Sequence, residues 1–230
     1  MTNRYIFIYA SSMVVIVALV LATAATLLRP LQERNMRIEK MQNILSAINI
    51  PAPRAEAETL FERYITTTKI VNHLGEELEG DAFEVELQDE VRKDLADRQL
   101  PVFIADVEGE TMYIVPVRGG GLWGPIWGYI GLKSDLATVV GANFDHASET
   151  PGLGAEIADR PFQAQFPGKR IFDEDGNFRP IRVVKGRAPE GDLHAVDGIS
   201  GGTITSNGVT DMLRNGLEVY KSYFEKIKTS

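Results

Sequence analysis

The chain of 230 residues contains no cysteine, which excludes disulfides, thiolate metal sites and cysteine-ligated iron–sulfur clusters. Histidine is scarce too. His73, His146 and His194 fall in no metal-ligand spacing, so each is expected to be solvated or hydrogen-bonded and no metal site is expected. The chain also lacks low-complexity tracts and any repeat with a period of about 20–50 residues. Basic charge is in deficit. Residues 1–50 hold five basic and two acidic side chains, so of the formal −8 the remainder carries −11. A domain of that sign is a poor partner for nucleic acid or an anionic lipid surface.

What is present begins with Tyr5–Leu28, an uncharged run of mainly Val, Ala, Leu and Ile, longer than the roughly 20 residues that span a bilayer core. A transmembrane anchor over residues 1–30 is expected. A cleaved signal peptide competes, because Ala22-Thr23-Ala24 imitates a cleavage site and Arg4 a basic leader, but such signals have apolar cores of only about 7–15 residues. Arg29, Arg34, Arg37 and Lys40 outnumber Arg4, and by the positive-inside rule they place the second flank in the cytoplasm. Pro30 is expected to break or redirect the helix. Beyond it Ile38, Met41, Leu45 and Ile48 share one helical face, which predicts a juxtamembrane amphipathic helix over 31–50, ended by Pro51-Ala52-Pro53. That face suits either a neighbouring subunit or the chain's own domain.

Residues 51–230 read as one domain. A short helix is expected over Ala55–Tyr64, then β-like runs at Lys69–Leu74, Phe83–Leu87, Pro101–Val107, Thr111–Val117, Ile126–Leu132 and Ala137–Ala142, with a hairpin turn at Val107–Glu110. Strands in series with helices at both ends predict an α+β fold: a single N-terminal transmembrane helix, then a mostly antiparallel sheet with flanking helices. Gly119–Gly128 holds too much glycine for a sheet interior. Its Trp123 could lie against a planar ligand, or both tryptophans of the loop could pack in the core. Thr150-Pro151-Gly152 is turn chemistry, with a helix expected from about Ala155. Phe172–Phe178 lacks the glutamate of a calcium loop and reads as a polar hairpin turn before a strand at Pro180–Val184.

Asp197-Gly198-Ile199-Ser200-Gly201-Gly202-Thr203-Ile204-Thr205 precedes a strong helical period, Val209, Met212, Leu213, Gly216, Leu217, Tyr220, Tyr223, Phe224 and Ile227, with Thr205 or Ser206 as the expected N-cap. Small residues running into a helix N-terminus present free N–H groups and the positive end of the dipole, which suits a phosphate. An ordinary capping turn explains the same residues.

Asp197 to Thr203 resembles the Asp-x-x-Ser/Thr-Gly-Ala-Thr acceptor motif of flavoproteins that carry FMN through a phosphoester to threonine, with Gly202 where the motif usually has alanine. His146-Ala-Ser-Glu149-Thr150-Pro-Gly-Leu153-Gly154 resembles a second string of the FMN-binding domain. That domain is shared by the C subunit of the Na+-translocating NADH:quinone reductase (Nqr) and the G subunit of the Rnf complex. The resemblance implies FMN on Thr203, with Thr205 as the second candidate acceptor. It implies a phosphate loop of Ser200, Gly201, Gly202 and Thr205, and Asp197 read by a flavin transferase. It also implies contacts from Leu122, Trp123, Glu149, Thr150, Leu153 and Gly154 to the ring or ribityl chain.

The length, the Asn43-Ile44-Leu45 segment and the Asp-Gly turn at 172–178 resemble NqrC more than RnfG. In that family NqrC relays electrons between an iron centre in the membrane subunits and the flavin of NqrB, within a complex that oxidises NADH, reduces ubiquinone and exports sodium. The resemblance therefore implies an inner-membrane flavoprotein that assembles with NqrA, NqrB, NqrD, NqrE and NqrF, its domain extracytoplasmic, against the charge bias. The alternatives are an Rnf component moving electrons between ferredoxin and NAD, or a non-redox membrane-anchored scaffold.

Overall fold

Apolar residues occupy every face of the first helix, α1 (Asn3–Ser46), as far as Leu28. Its most apolar window has a mean hydropathy of 2.5 and is wholly exposed, a length and composition that can cross a bilayer. The structure is a computed structural model that describes residues 3–229. It divides into two compact units, Met1–Lys40 and Met41–Ser230.

Pro30 does not break α1, contrary to expectation. Proline withdraws one backbone bond, the partner of the Thr26 carbonyl, and the good helix formers around it, Leu27, Leu28, Leu31, Gln32 and Glu33, carry the helix through. An i,i+4 ion pair from Arg29 Nε to Glu33 Oε1 at 2.8 Å spans the proline. The last turns of α1 belong to the second unit. There Met41, Ile44, Ala47 and Ile48 are buried with Ile65, Phe103, Ile114 and Tyr129, so this amphipathic face packs on the chain's own domain. The helix ends at Ser46, ahead of the expected Pro51 stop. Asn49 takes a φ of 60° and its Nδ2 donates to the Val140 carbonyl at 2.7 Å, turning the chain.

Helix α2 spans Ala57–Tyr64, and strand β1 (Ile65–Val71) leaves it directly, earlier than the expected Lys69 start. Asn72 Oδ1 accepts from Leu74 N–H (3.0 Å) and Glu76 N–H (2.9 Å), which ends the strand and turns it into β2 (Glu77–Leu78). The strand expected over Phe83–Leu87 does not form. Asp81 Oδ1 accepts the Phe83 N–H at 2.8 Å in a side-chain turn, which leads into the short helix α3 (Leu87–Glu90). The apolar residues there are used for packing: Phe83 meets Phe61 and Phe103 edge-to-face at 5.7 and 6.5 Å between centroids.

Strands β3 (Leu100–Val107), β4 (Glu110–Gly120), β5 (Pro125–Lys133) and β6 (Val139–His146) fall close to expectation, except that the glycine-rich 119–128 segment does enter the sheet. Gly119 and Gly120 pair with Ile126 and Pro125, and Gly128 with Val117. Close packing calls for glycine there, because a Cβ on Gly128 would lie 2.2 Å from the Asn143 carbonyl and one on Gly119 2.7 Å from Met212 Cβ. Glu108 (φ 57°) and Gly109 (φ 86°) make the hairpin turn joining the first two. The sheet order is β2-β1-β3-β4-β5-β6, antiparallel throughout. Both faces are covered. Val102, Val115, Ile130 and Leu132 point into one core, and their neighbours Phe103, Ile114 and Tyr129 into the other.

After β6 the expected helix from Ala155 is replaced by a 3₁₀ turn (Gly154–Ala158) and a separate short helix, α4 (Arg160–Gln163). Pro161 has no N–H with which to continue the first and instead opens the second. Phe172 and Phe178 pair across a turn in which Asp173 Oδ1 accepts the Asp175 and Asn177 N–H groups at 3.1 and 2.8 Å. Strand β7 (Arg182–Val184) pairs in parallel with β8 (Ala195–Asp197), a strand that was not expected. The C-terminal helix is two helices, α5 (Thr203–Glu218) and α6 (Lys221–Thr229). At their junction the Tyr220 hydroxyl, fully buried, donates to the Pro101 carbonyl at 3.0 Å, which anchors the break to β3.

Candidate functional site

Three loops meet at the N-terminus of α5. The N-cap is Gly202, not Thr205 or Ser206, so the helix starts a turn earlier than its apolar period implies. Ser206 N–H donates to the Gly202 carbonyl at 2.9 Å, and Gly202 N–H to the Ile199 carbonyl at 3.0 Å. These bonds set Thr203 at the first helical position with its side chain exposed, beside Ile204, itself 56% exposed. Gly201 takes a φ of 74°, and a Cβ there would lie 2.5 Å from Leu153 Cδ2, so the second loop is pressed against the first.

Glu149 joins the loops. It is buried, and its Oε2 accepts the Thr205 hydroxyl at 2.6 Å while its Oε1 accepts the Trp123 N–H at 2.8 Å. The Leu122 N–H bonds to the same carboxylate. Burial pushes the acid's pKa up, but the hydrogen bonds from Thr205, Trp123 and Leu122, with His146 nearby, outweigh it and hold it below the ordinary carboxylate range. The Glu149 N–H donates to His146 Nδ1 at 3.2 Å, and Ser148 Oγ to the Trp123 carbonyl at 2.9 Å. Gly154 sits against this centre: a Cβ there would come within 2.3 Å of Glu149 Oε2 and 2.4 Å of Thr205 Oγ1.

The sequence-predicted residues thus separate by environment. Leu122, Trp123, Thr150, Leu153, Ser200, Gly201 and Thr203 are exposed, whereas Glu149, Gly154, Gly202 and Thr205 are buried beneath them as the frame. Asp197 is half-buried; its N–H donates to Gln165 Oε1 at 2.8 Å, and its Oδ1 accepts the Ala188 N–H at 2.7 Å. Leu122 (47%), Trp123 (67%) and Leu153 (40%) leave apolar surface open on the two loops that Glu149 and Gly201 join to the head of α5. Among the described residues no cluster of His, Asp or Glu is arranged to hold a metal ion.

Sequence reasoning missed the Lys185-Gly186-Arg187 loop. With Asp197, Ser200, Gly201 and Thr203 it lines a cavity of about 480 Å³. No motif marks it, because only the unexpected β8 brings it to the loop at 198–203. The Glu149–Thr205 bond was equally hidden, since the two residues lie 56 positions apart.

Residues 121–218 match the FMN-binding domain, which defines the class to which this arrangement of loops belongs. The chain is 33% identical over 211 residues to the C subunit of the Na+-translocating NADH-quinone reductase of Vibrio vulnificus, with 84% of this chain and 82% of the relative covered. It is 35% identical over 213 residues to that of Yersinia pestis, with 84% and 80% covered. The crystal structure of the C subunit from Parabacteroides distasonis superposes with a TM-score of 0.80 at 45% identity, covering 86% of this chain and 96% of that one. Shewanella oneidensis NqrC gives 0.73 at 29%, covering 84% and 98%. The chain belongs to the NqrC family, the C subunits of the Na+-translocating NADH-quinone reductases.

Proposed function

We propose that this chain is the membrane-anchored flavoprotein subunit of a Na+-translocating NADH-quinone reductase, and that it relays electrons through FMN joined to Thr203 by a phosphoester. The observation that carries this reading is the contrast between two neighbouring hydroxyls. Thr203 is exposed at the head of α5, whereas the Thr205 hydroxyl is buried and donates to Glu149. Only the first is open to a phosphoryl donor, so Thr205 is the weaker acceptor.

The residues fit FMN. The first N–H groups of α5 would serve a phosphate on Thr203, since no side chain caps this end of the helix, and Leu122, Trp123 and Leu153 would offer a planar apolar ring a surface that is otherwise left to water. When bound, FMN would supply reversible electron uptake and release. The chain's part is to hold the ring at a fixed place, through the tether and the loops that Glu149 binds together. Asp197 is assigned to recognition by the flavin transferase.

The names of the relatives support NqrC over RnfG. By the same reading the chain assembles with NqrA, NqrB, NqrD, NqrE and NqrF, and α1 anchors it in the inner membrane with the domain extracytoplasmic.

The test is the intact mass of the membrane-extracted full chain, with in-gel flavin fluorescence after denaturation, for wild type, Thr203→Val and Thr205→Val. The expected result is one FMN on wild type and Thr205→Val and none on Thr203→Val. Retention of the adduct in Thr203→Val would move the acceptor elsewhere. Absence of flavin from wild type co-expressed with a flavin transferase would overturn the redox reading in favour of a scaffold.

A further inference from the structure

In a parallel strand pair the carboxyl ends lie side by side, so the loops that follow β7 and β8 leave the same end of the molecule. In open parallel sheets that end is where ligands bind. Here one loop is Gly198–Gly202, which leads to Thr203, and the other is Lys185–Ala188. Two hydrogen bonds pin them together: Gly198 N–H to the Gly186 carbonyl at 2.9 Å, and Ala188 N–H to Asp197 Oδ1 at 2.7 Å. A Cβ on Gly198 would lie 2.2 Å from the Val184 carbonyl, so the approach is close enough to require glycine. Lys185 and Arg187 are therefore held at the wall of the cavity that Ser200, Gly201 and Thr203 also line.

The charge of this cavity runs against that of its surroundings. Asp197 is the one carboxylate among the lining residues, and one of its oxygens is already engaged by Ala188. Two cations therefore face one carboxylate, in a chain that carries −11 beyond residue 50. The two cations also differ usefully: guanidinium can grip two phosphate oxygens at once, and the ammonium acts as a mobile point charge.

We propose that Lys185 and Arg187 are positioning residues for the flavin phosphate. From the β7 side they hold the phosphodiester on Thr203 against the N-terminus of α5, and so fix the direction in which the tether leaves the protein. The inference rests on the reading of Thr203 as the flavin-bearing residue. It adds the counter-charge, which none of the acceptor-loop residues provides.

The experiment uses the flavin-bearing full chain in detergent, as wild type, as the pair Lys185→Gln/Arg187→Gln, and as the swapped pair Lys185→Arg/Arg187→Lys. Intact mass reports loading, the 31P resonance reports the phosphodiester's surroundings, and time-resolved anisotropy reports the mobility of the flavin. In wild type, added salt is expected to shift the 31P resonance as the exposed cations are screened. The glutamine pair is expected to start from a shifted resonance, to lose the salt response, and to show severalfold faster flavin anisotropy decay at an unchanged melting temperature. The swapped pair restores the wild-type behaviour. A glutamine pair that fails to load, with its melting temperature kept and the swapped pair loading normally, also supports the proposal. A loaded glutamine pair that matches wild type in both resonance and anisotropy refutes it and leaves Thr203 untouched. Wild type without flavin removes the reading of Thr203 and this inference together.

Discussion

Glu149 offers the most demanding test of how the site is built. Its carboxylate takes hydrogen bonds from Thr205 Oγ1 (2.6 Å), Trp123 N–H (2.8 Å) and Leu122 N–H in a buried place. Glu149→Ala strands these donors, each at about 1–3 kcal/mol if water does not reach it, so a loss of about 3–5 kcal/mol after partial relaxation is expected. Thr205→Val removes one bond to a charged acceptor, worth about 1.5–3 kcal/mol. Glu149→Gln is milder, about 1–2 kcal/mol, because its amide oxygen can still accept the two N–H groups while its NH₂ donates to a rotated Thr205 hydroxyl.

The assay is chemical unfolding of the detergent-solubilised chain, followed by circular dichroism, on the two singles Glu149→Gln and Thr205→Val and their double variant. A coupling on the order of 1 kcal/mol is expected, because the residues share one bond. The pH dependence has a defined sign. The folded-state pKa is depressed, so the contribution is complete above the unfolded value near 4.5 and is lost as pH falls through the folded one. Below about pH 4.5 wild-type stability should fall more steeply than that of Glu149→Gln. Strictly additive effects, with Thr205→Val costing under about 0.5 kcal/mol, would refute the clamp.

Gly154→Ala drives a methyl to within 2.3 Å of Glu149 Oε2, and a cost of about 1–3 kcal/mol in the same unfolding assay is expected. Trp123→Ala removes a ring that is 67% exposed, so stability should change by no more than about 0.5 kcal/mol; if Trp123 stacks on FMN at Thr203 as proposed, the flavin's fluorescence should rise. Gly202→Ala restores the alanine usual in the acceptor motif. Its Cβ would meet Ile199 Cγ2 at 2.9 Å, a side-chain end that can yield, so a cost below about 1 kcal/mol with full FMN loading by intact mass is expected.

The central sheet was legible because β3 to β6 are bounded by turn residues and rich in β-branched and aromatic side chains, so length and composition located them even though both faces are buried. The same cue misled at Phe83–Leu87, where Ala82, Phe83 and Val85 are buried by a turn rather than a strand, because Asp81 captures the backbone first. Local signals also failed where a single residue was weighed without its surroundings. Pro30 lies in a helix strong enough to pass through it, and Pro161 splits a segment that reads as one helix. β8 is only three residues long, as is its partner β7 a short way upstream, so it is too short for a strand period to show. The site divides the same way. The acceptor loop and the Glu-Thr-Pro-Gly string were visible as motifs, whereas their union through Thr205 and Glu149, and the approach of Lys185 and Arg187, exist only in three dimensions.

The Glu149 bonds also bear on the order of events in biogenesis. A pocket whose loops wait for their ligand makes loading a folding step, and the ligand's affinity must then meet the entropy of ordering them. Here the loops around Thr203 are tied to one another by bonds internal to the chain, so their ordering is completed with the rest of the domain. If Thr203 carries FMN as proposed, the domain can fold before loading and accept the flavin later as a finished receptacle. Hydrogen exchange at residues 121–124 and 149–154 should then be nearly the same before and after loading.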